Sequence, residues 1–237
     1  MKIDTKKRST APEIMDDFEM EGATLTDALD KIAAINKLLG GNKVTLNGIE
    51  YLLDKSGLVG KIRITDVGCG NGAMLRMLAD YAKETNQIFE LVGIDANKAT
   101  IAHAKSLSST YPNISYKCLD IFDEHAAIGE CDIMLFTLTL HHFTDEEIIR
   151  LLKNLKKDVS VGIVVNDLER SATAYRLFNV LCAVFKLNDM SRSDGLVSIL
   201  RGFKKEDFLR YEKELAIKSA YIKWKWAFRY LWIIKTK

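Results

Sequence analysis

Five short apolar runs, 62–67, 89–95, 114–119, 132–136 and 159–166, alternate with helical stretches at about 72–85, 98–109 and 145–155. Continuous apolar runs suit strands buried on both faces, and a helix between successive strands lets the chain return to lay the next one parallel. Right-handed crossovers then predict an α/β fold with a doubly wound, Rossmann-like sheet. Residues 215–226 and 228–235 break the alternation and read as two consecutive strands, so a seven-stranded sheet closing in a C-terminal antiparallel hairpin is expected.

Residues 1–60 carry a different pattern. Leu25, Leu29, Ile32, Ile35 and Leu39 recur at helical spacing, with Thr24 or Thr26 as the expected cap and Gly40-Gly41 as the stop. Leu46, Ile49, Leu52 and Leu53 suggest a second short helix closed near Gly57. The expected division is an N-terminal helical cap, 1–60, on a ligand-binding domain, 61–237. The latter holds an insertion at about 167–203, with a helical run from Tyr175 to Phe185 and then a polar loop, Ser191-Arg192-Ser193-Asp194-Gly195.

Composition narrows the function classes. Thirty-four Lys and Arg against 32 Asp and Glu give a net charge of +2, too little for the field of a dedicated nucleic-acid binder. Cys69, Cys118, Cys131 and Cys182 are widely spaced, read as reduced thiols, and form no zinc motif, so no metal is expected. The start, MKIDTKKRSTAPEIMDD, lacks a secretory apolar stretch, and no apolar run approaches the roughly 20 residues of a membrane span. A soluble, cytoplasmic protein without nucleic-acid or membrane partners is expected.

The densest motif is Asp66-Val67-Gly68-Cys69-Gly70-Asn71-Gly72, between the first strand and its helix. Glycines let the backbone turn sharply and approach a ligand, and the helix N-terminus offers free N–H groups. Gly68, Gly70 and Ala73 also satisfy the dinucleotide fingerprint, which keeps a nicotinamide-dependent oxidoreductase as an alternative. Asp66 argues against it, because a carboxylate there repels a pyrophosphate and attracts an ammonium, favouring S-adenosylmethionine over NAD. Asp95 ends the second strand where a carboxylate can accept from two ribose hydroxyls. After the third strand, Asp120 and the Ile121 N–H are suited to an adenine edge.

In this ordered set, covering roughly 61–166 plus the hairpin, the chain resembles the class I S-adenosylmethionine-dependent methyltransferases. DVGCGNG looks like that family's first motif, which assigns Asp66, Gly68, Cys69, Gly70 and Gly72 to the methionine end of the cofactor. By the same resemblance Asp95 and Ala96 serve the ribose, Asp120 and Ile121 the adenine, and Leu138 the same cofactor wall. The terminal hairpin is likewise expected of the family, and S-adenosylhomocysteine would be the product.

Methyl transfer from a sulfonium is an in-line displacement, so the protein must position an acceptor and manage its proton. His141 and His142 follow the fourth strand at the sheet edge where ligands bind. If the segment is extended, adjacent side chains diverge and only one ring faces the methyl group. Asp167 follows the fifth strand and can orient an imidazole base. Glu169 and Arg170 read as a solvated helix start carrying an ion pair. Met15, Phe18, Tyr175 and Phe178 are expected to line an apolar acceptor pocket, and Arg192 to select a polar group on the acceptor. Arg192, Asp194 and Arg201 alternatively read as a surface salt-bridge group. In the tail, Ile222, Trp224 and Trp226 should share one strand face, opposite Lys223 and Lys225.

The expected activity is methylation of a small molecule, O-methylation of a hydroxylated apolar or aromatic acceptor, with C- or N-methylation and a catalytically silent cofactor-binding regulator as alternatives. An NPPY-like amide-methylating segment is absent where the chain has Thr137-Leu138-Thr139-Leu140.

Overall fold

The computed structural model describes residues 3–123, 128–155, 157–185 and 187–236. Strands β1 (Lys61–Val67), β2 (Ile88–Asp95), β3 (Ile114–Cys118), β4 (Cys131–Thr137), β5 (Val159–Leu168), β6 (Ala220–Lys225) and β7 (Arg229–Lys235) form one sheet. Their order is β3-β2-β1-β4-β5-β7-β6, and β7 runs against the others. The chain starts in the middle with β1, builds outward to β3, then crosses back to β4. The switch point therefore lies between the carboxyl ends of β1 and β4, which pair in parallel from Ile64↔Ile133 to Val67↔Phe136.

Helices α1 (Ala23–Leu38) and α2 (Gly41–Ser56) precede the sheet, while α3 (Ala73–Thr85), α4 (Lys98–Leu107) and α5 (Asp145–Leu155) are the crossovers. Three more, α6 (Ala172–Val184), α7 (Asp189–Arg201) and α8 (Lys205–Glu214), lie between β5 and β6. One face of the sheet buries Leu75 and Leu78 of α3 and Ile101 of α4. The other buries Ile148, Leu151 and Leu152 of α5 with Phe208 and Tyr211 of α8, against Phe136, Val165 and Trp232.

Several expectations change. Helix α2 spans 16 residues and acts as a layer of the core, with Ile49 and Leu52 fully buried and Gly48 packed against Val164 and Leu231. It covers the β5–β7 half of the face on which α3 and α4 cover only the other half. Helix α1 starts behind Gly22, and neither Thr24 nor Thr26 caps it. Residues 191–195 are helical, because the Asn188 side chain accepts from the Ser191 N–H and nucleates α7 where a polar loop is expected. The first hairpin strand begins at Ala220, since α8 runs to Glu214 and Ala216 takes a left-handed φ of 48°. Strand β6 stops at Lys225, which puts Trp226 in the turn and off the strand face.

Candidate functional site

Asp66 is the penultimate residue of β1, and its pleat turns the carboxylate into the sheet's carboxyl edge, 2 % exposed. Its Oδ1 has no hydrogen-bond partner in the protein. Burial, with the charge of Asp95 added, pushes this acid up to about 8. Behind it the loop is pinned to β2, where Gly68 N and Cys69 N both donate to Ile94 O at 2.8 and 3.0 Å. Gly68, Gly70 and Gly72 all take left-handed φ angles, of 67°, 52° and 75°, which explains glycine at alternate positions. Burial raises the Cys69 thiol well above its ordinary range, so it is an inert wall.

Asp95 holds the loop's next turn. Its Oδ2 accepts from Gly70 N at 3.2 Å and its Oδ1 from Asn97 N at 3.0 Å, while Asn97, not Asp95, caps α4. Asp120 is exposed, and its Oδ1 accepts from Phe122 N at 2.9 Å in a turn beside Ile121. Leu138 takes a positive φ of 56°, an unusual cost for a leucine, directly after β4. These residues line one cavity of about 820 Å³ with Gly68, Cys69, Gly70 and Ala96. Gly72 does not line it; a Cβ there would run into the Tyr116 hydroxyl, so this glycine makes room for packing.

The cavity continues to His141 and His142. Residues Leu140–His142 form a 3-10 turn, so the two rings do not diverge as in a strand but lie together, centroids 4.3 Å apart. His141 is 3 % exposed, with Nδ1 2.7 Å from Asp167 Oδ1. Asp167 belongs to β5 itself, two residues longer than expected. Burial alone would raise its acid, but the charge and hydrogen bond of His141 hold it below the ordinary carboxylate range. With Nδ1 so engaged, Nε2 turns to Glu13, whose Oε1 is 3.8 Å away and has no hydrogen-bond partner. His142 is half-buried and places Nδ1 2.7 Å from Asp16 Oδ1.

Glu13 and Asp16 escape sequence reasoning because the segment 3–22 has almost no regular structure. It is drawn across the pocket by side chains distant in sequence. Arg8 donates to the His141 and Phe143 carbonyls at 3.1 and 2.8 Å, and Asp194 accepts from Ile14 N and Met15 N. Arg201 pairs with Asp16 at 2.6 Å and donates to the carbonyls of His141 and His142. Asp194 and Arg201 are thus buried organisers and not a surface salt-bridge group. The one available signal is the acidic run around Glu13, Asp16 and Asp17.

The acceptor-side expectations divide. Met15, Phe18 and Phe178 line the cavity, whereas Tyr175 and Arg192 do not. Arg192 is exposed and donates to Asn179, because the helical turn of α7 that sends Asp194 inward sends Arg192 out. Glu169 accepts from Trp224 Nε1, and Arg170 is buried against Gly202 O and Asp207, so these two are not a solvated pair. The sequence also gave no sign of Arg229, which lines the cavity 2 % exposed with Nη1 on Asn36 Oδ1 at 2.7 Å. Burial lowers this guanidinium to about 10.

Residues 64–162 match the family model described as a methyltransferase domain. Over 73 residues the chain is 32 % identical to a protein of Invertebrate iridescent virus 6 described as methyltransferase 235L, a match covering 31 % of this chain and a quarter of the relative's length. Among solved structures it is similar to the plantazolicin methyltransferase BpumL in complex with S-adenosylhomocysteine and a pentazolic desmethyl analogue. That pair shares 17 % identity at a TM-score of 0.68 and covers 88 % of this chain and 90 % of the other. It is also similar to magnesium protoporphyrin IX methyltransferase from Synechocystis PCC 6803 with bound S-adenosylmethionine, at 12 % identity and a TM-score of 0.56, over 93 % and 88 % of the two chains. Among the described residues no helix is long and apolar enough to cross a membrane.

Proposed function

We propose that this chain, whose residues 64–162 match a methyltransferase domain, transfers the methyl group of S-adenosylmethionine to a hydroxyl of a small apolar acceptor. The observation that carries this reading is one cavity lined by both Asp66, whose Oδ1 is unpartnered, and His141, which Asp167 holds from behind. A buried carboxylate oxygen without a partner costs stability in the free protein, and a ligand ammonium would supply what it lacks. The donors and acceptors around it fit the rest of the cofactor: Asp95 for the ribose, and Asp120 with the Ile121 N–H for the adenine edge.

S-Adenosylmethionine held there would supply an electrophilic methyl carbon and a neutral thioether leaving group. His141 Nε2 would take the proton of the acceptor hydroxyl. Asp167 holds Nδ1–H, selects that tautomer and stabilises the imidazolium that forms. The apolar lining from Leu25, Leu29, Phe178, Leu181 and Ile199 suits an acceptor with a hydrophobic body, and Arg229 suits an anionic or strongly accepting substituent.

Calorimetric titration with S-adenosylmethionine and S-adenosylhomocysteine, with NADH as control, tests the cofactor. Saturable binding of both sulfur ligands and none of NADH is expected. Labelled methyl transfer to a panel of hydroxylated acceptors then tests the chemistry, and NADH binding in place of the sulfur ligands would overturn the reading.

A further inference from the structure

We propose that Glu13, His141 and His142 form a binding site for one divalent transition-metal ion. Glu13 Oε1 lies 3.8 Å from His141 Nε2 and 3.9 Å from His142 Nδ1, and one donor atom from each residue falls within 4.8 Å of the others. In the ion-free protein Asp16 Oδ1 holds His142 Nδ1 at 2.7 Å, so an ion takes the place of that contact. Two imidazoles and a carboxylate are a donor set that zinc accepts, and bonds of about 2.1 Å give a tetrahedral ligand-to-ligand edge of roughly 3.4 Å. The two Glu13 edges need a contraction of a few tenths of an ångström, and the edge between the imidazoles, within 4.8 Å, closes with them around an ion.

Three further features point the same way. Glu13 is 6 % exposed, and with Oε2 taken by the Ser198 hydroxyl at 2.7 Å, its unpartnered Oε1 faces both imidazoles. His141 already has the support that metal-bound histidines have, its opposite nitrogen being held by Asp167 at 2.7 Å. Charge also favours a dication, since the carboxylates of Glu13, Asp16 and Asp167 surround the imidazoles, whereas Arg8 and Arg201 reach the turn at its carbonyls. Arg201 Nη1 stands 3.6 Å from Glu13 Oε1 but 2.6 Å from Asp16 Oδ2, so its closer partner is Asp16.

Glu13, His141 and His142 all line the cavity, which gives an ion an entry route and leaves a coordination position open toward the acceptor side. The site shares one atom with the methyl-transfer reading. His141 Nε2 gives its lone pair either to a proton or to the ion, so metal occupancy and proton acceptance at that atom exclude each other.

Calorimetric titration of the chelator-treated full chain with zinc chloride, and its visible spectrum with cobalt(II), test the site. The expected result is one zinc per chain, with affinity falling roughly tenfold or more in both Glu13→Gln and His142→Gln. Thermal melts report whether each variant is folded. The cobalt spectrum should show low-coordinate absorption that Glu13→Gln weakens. The proposal is overturned by absent saturable uptake in the wild type, by unchanged affinity in both folded variants, or by loss of uptake in Cys118→Ser, which would locate binding at an exposed thiol. Failure to bind S-adenosylhomocysteine would sink the methyltransferase reading and leave the zinc result to stand on its own.

Discussion

Asp167 Oδ1 lies 2.7 Å from His141 Nδ1, and Asp167 Oδ2 accepts from the His141 backbone N–H at 3.2 Å, so one buried carboxylate fixes both the ring and the main chain of its partner. Asp167→Asn keeps the shape but allows the amide to donate to Nδ1, which favours the wrong tautomer. Turnover should fall by roughly a hundredfold or more while affinity for S-adenosylhomocysteine stays within about twofold. Parallel turnover and binding measurements check this, and equal loss of both would show that Asp167 supports the fold alone.

Asp66 links ligand binding to stability. Its folded acid titrates near 8, far above an unfolded aspartate, so the folded state binds more protons and the free protein loses stability as pH rises from about 4 to 8. Asp66→Asn should flatten that slope, with a gain on the order of a few kcal/mol at pH 8, and should weaken cofactor binding severely. Melts of both proteins across pH 5 to 8 decide the first part and calorimetry the second.

Proton release offers a second reading of the same carboxylate. At pH 7 the free Asp66 is mostly protonated, so pairing with a ligand ammonium requires it to give up its proton. The heat of S-adenosylmethionine binding should therefore depend on the ionisation heat of the buffer in the wild type and lose that dependence in Asp66→Asn.

Asp95→Ala removes the acceptor that holds Gly70 N and Asn97 N as well as the expected ribose contact. Cofactor affinity should drop by a hundredfold or more, roughly 3 kcal/mol, for loss of charge-assisted bonds together with loop order. Unchanged affinity would place the cofactor elsewhere.

Arg201→Gln should release the segment 3–22 from the histidine turn, because Asp16 and the carbonyls of His141, His142 and Ala11 lose their common donor. The expected cost is roughly 2–4 kcal/mol in denaturant melts, with faster proteolysis near the amino terminus.

The parallel strands, their helices and the glycine loop were legible because each is written locally: apolar runs, helical spacing, and glycines where φ must be positive. Asp66 and Asp95 were legible for the same reason, since a strand's end fixes where its last side chains stand. The 3-10 turn at Leu140–His142 was not, and it decides that both rings meet, not one. The start of β6 was misplaced because residues 215–219 are apolar enough for a strand but follow directly on α8 and turn at Ala216.

Sequence by itself determined the parallel strands, their helices and the glycine loop after the first strand, since backbone propensity and hydrophobic period act over a few residues. Tertiary structure alone decided the far side of the pocket. Glu13 meets His141 across 128 positions, and Arg201 meets Asp16 across 185, through contacts that no local pattern encodes. Buried charges must find partners wherever the folded chain brings them, and that requirement is satisfied only once the core has packed.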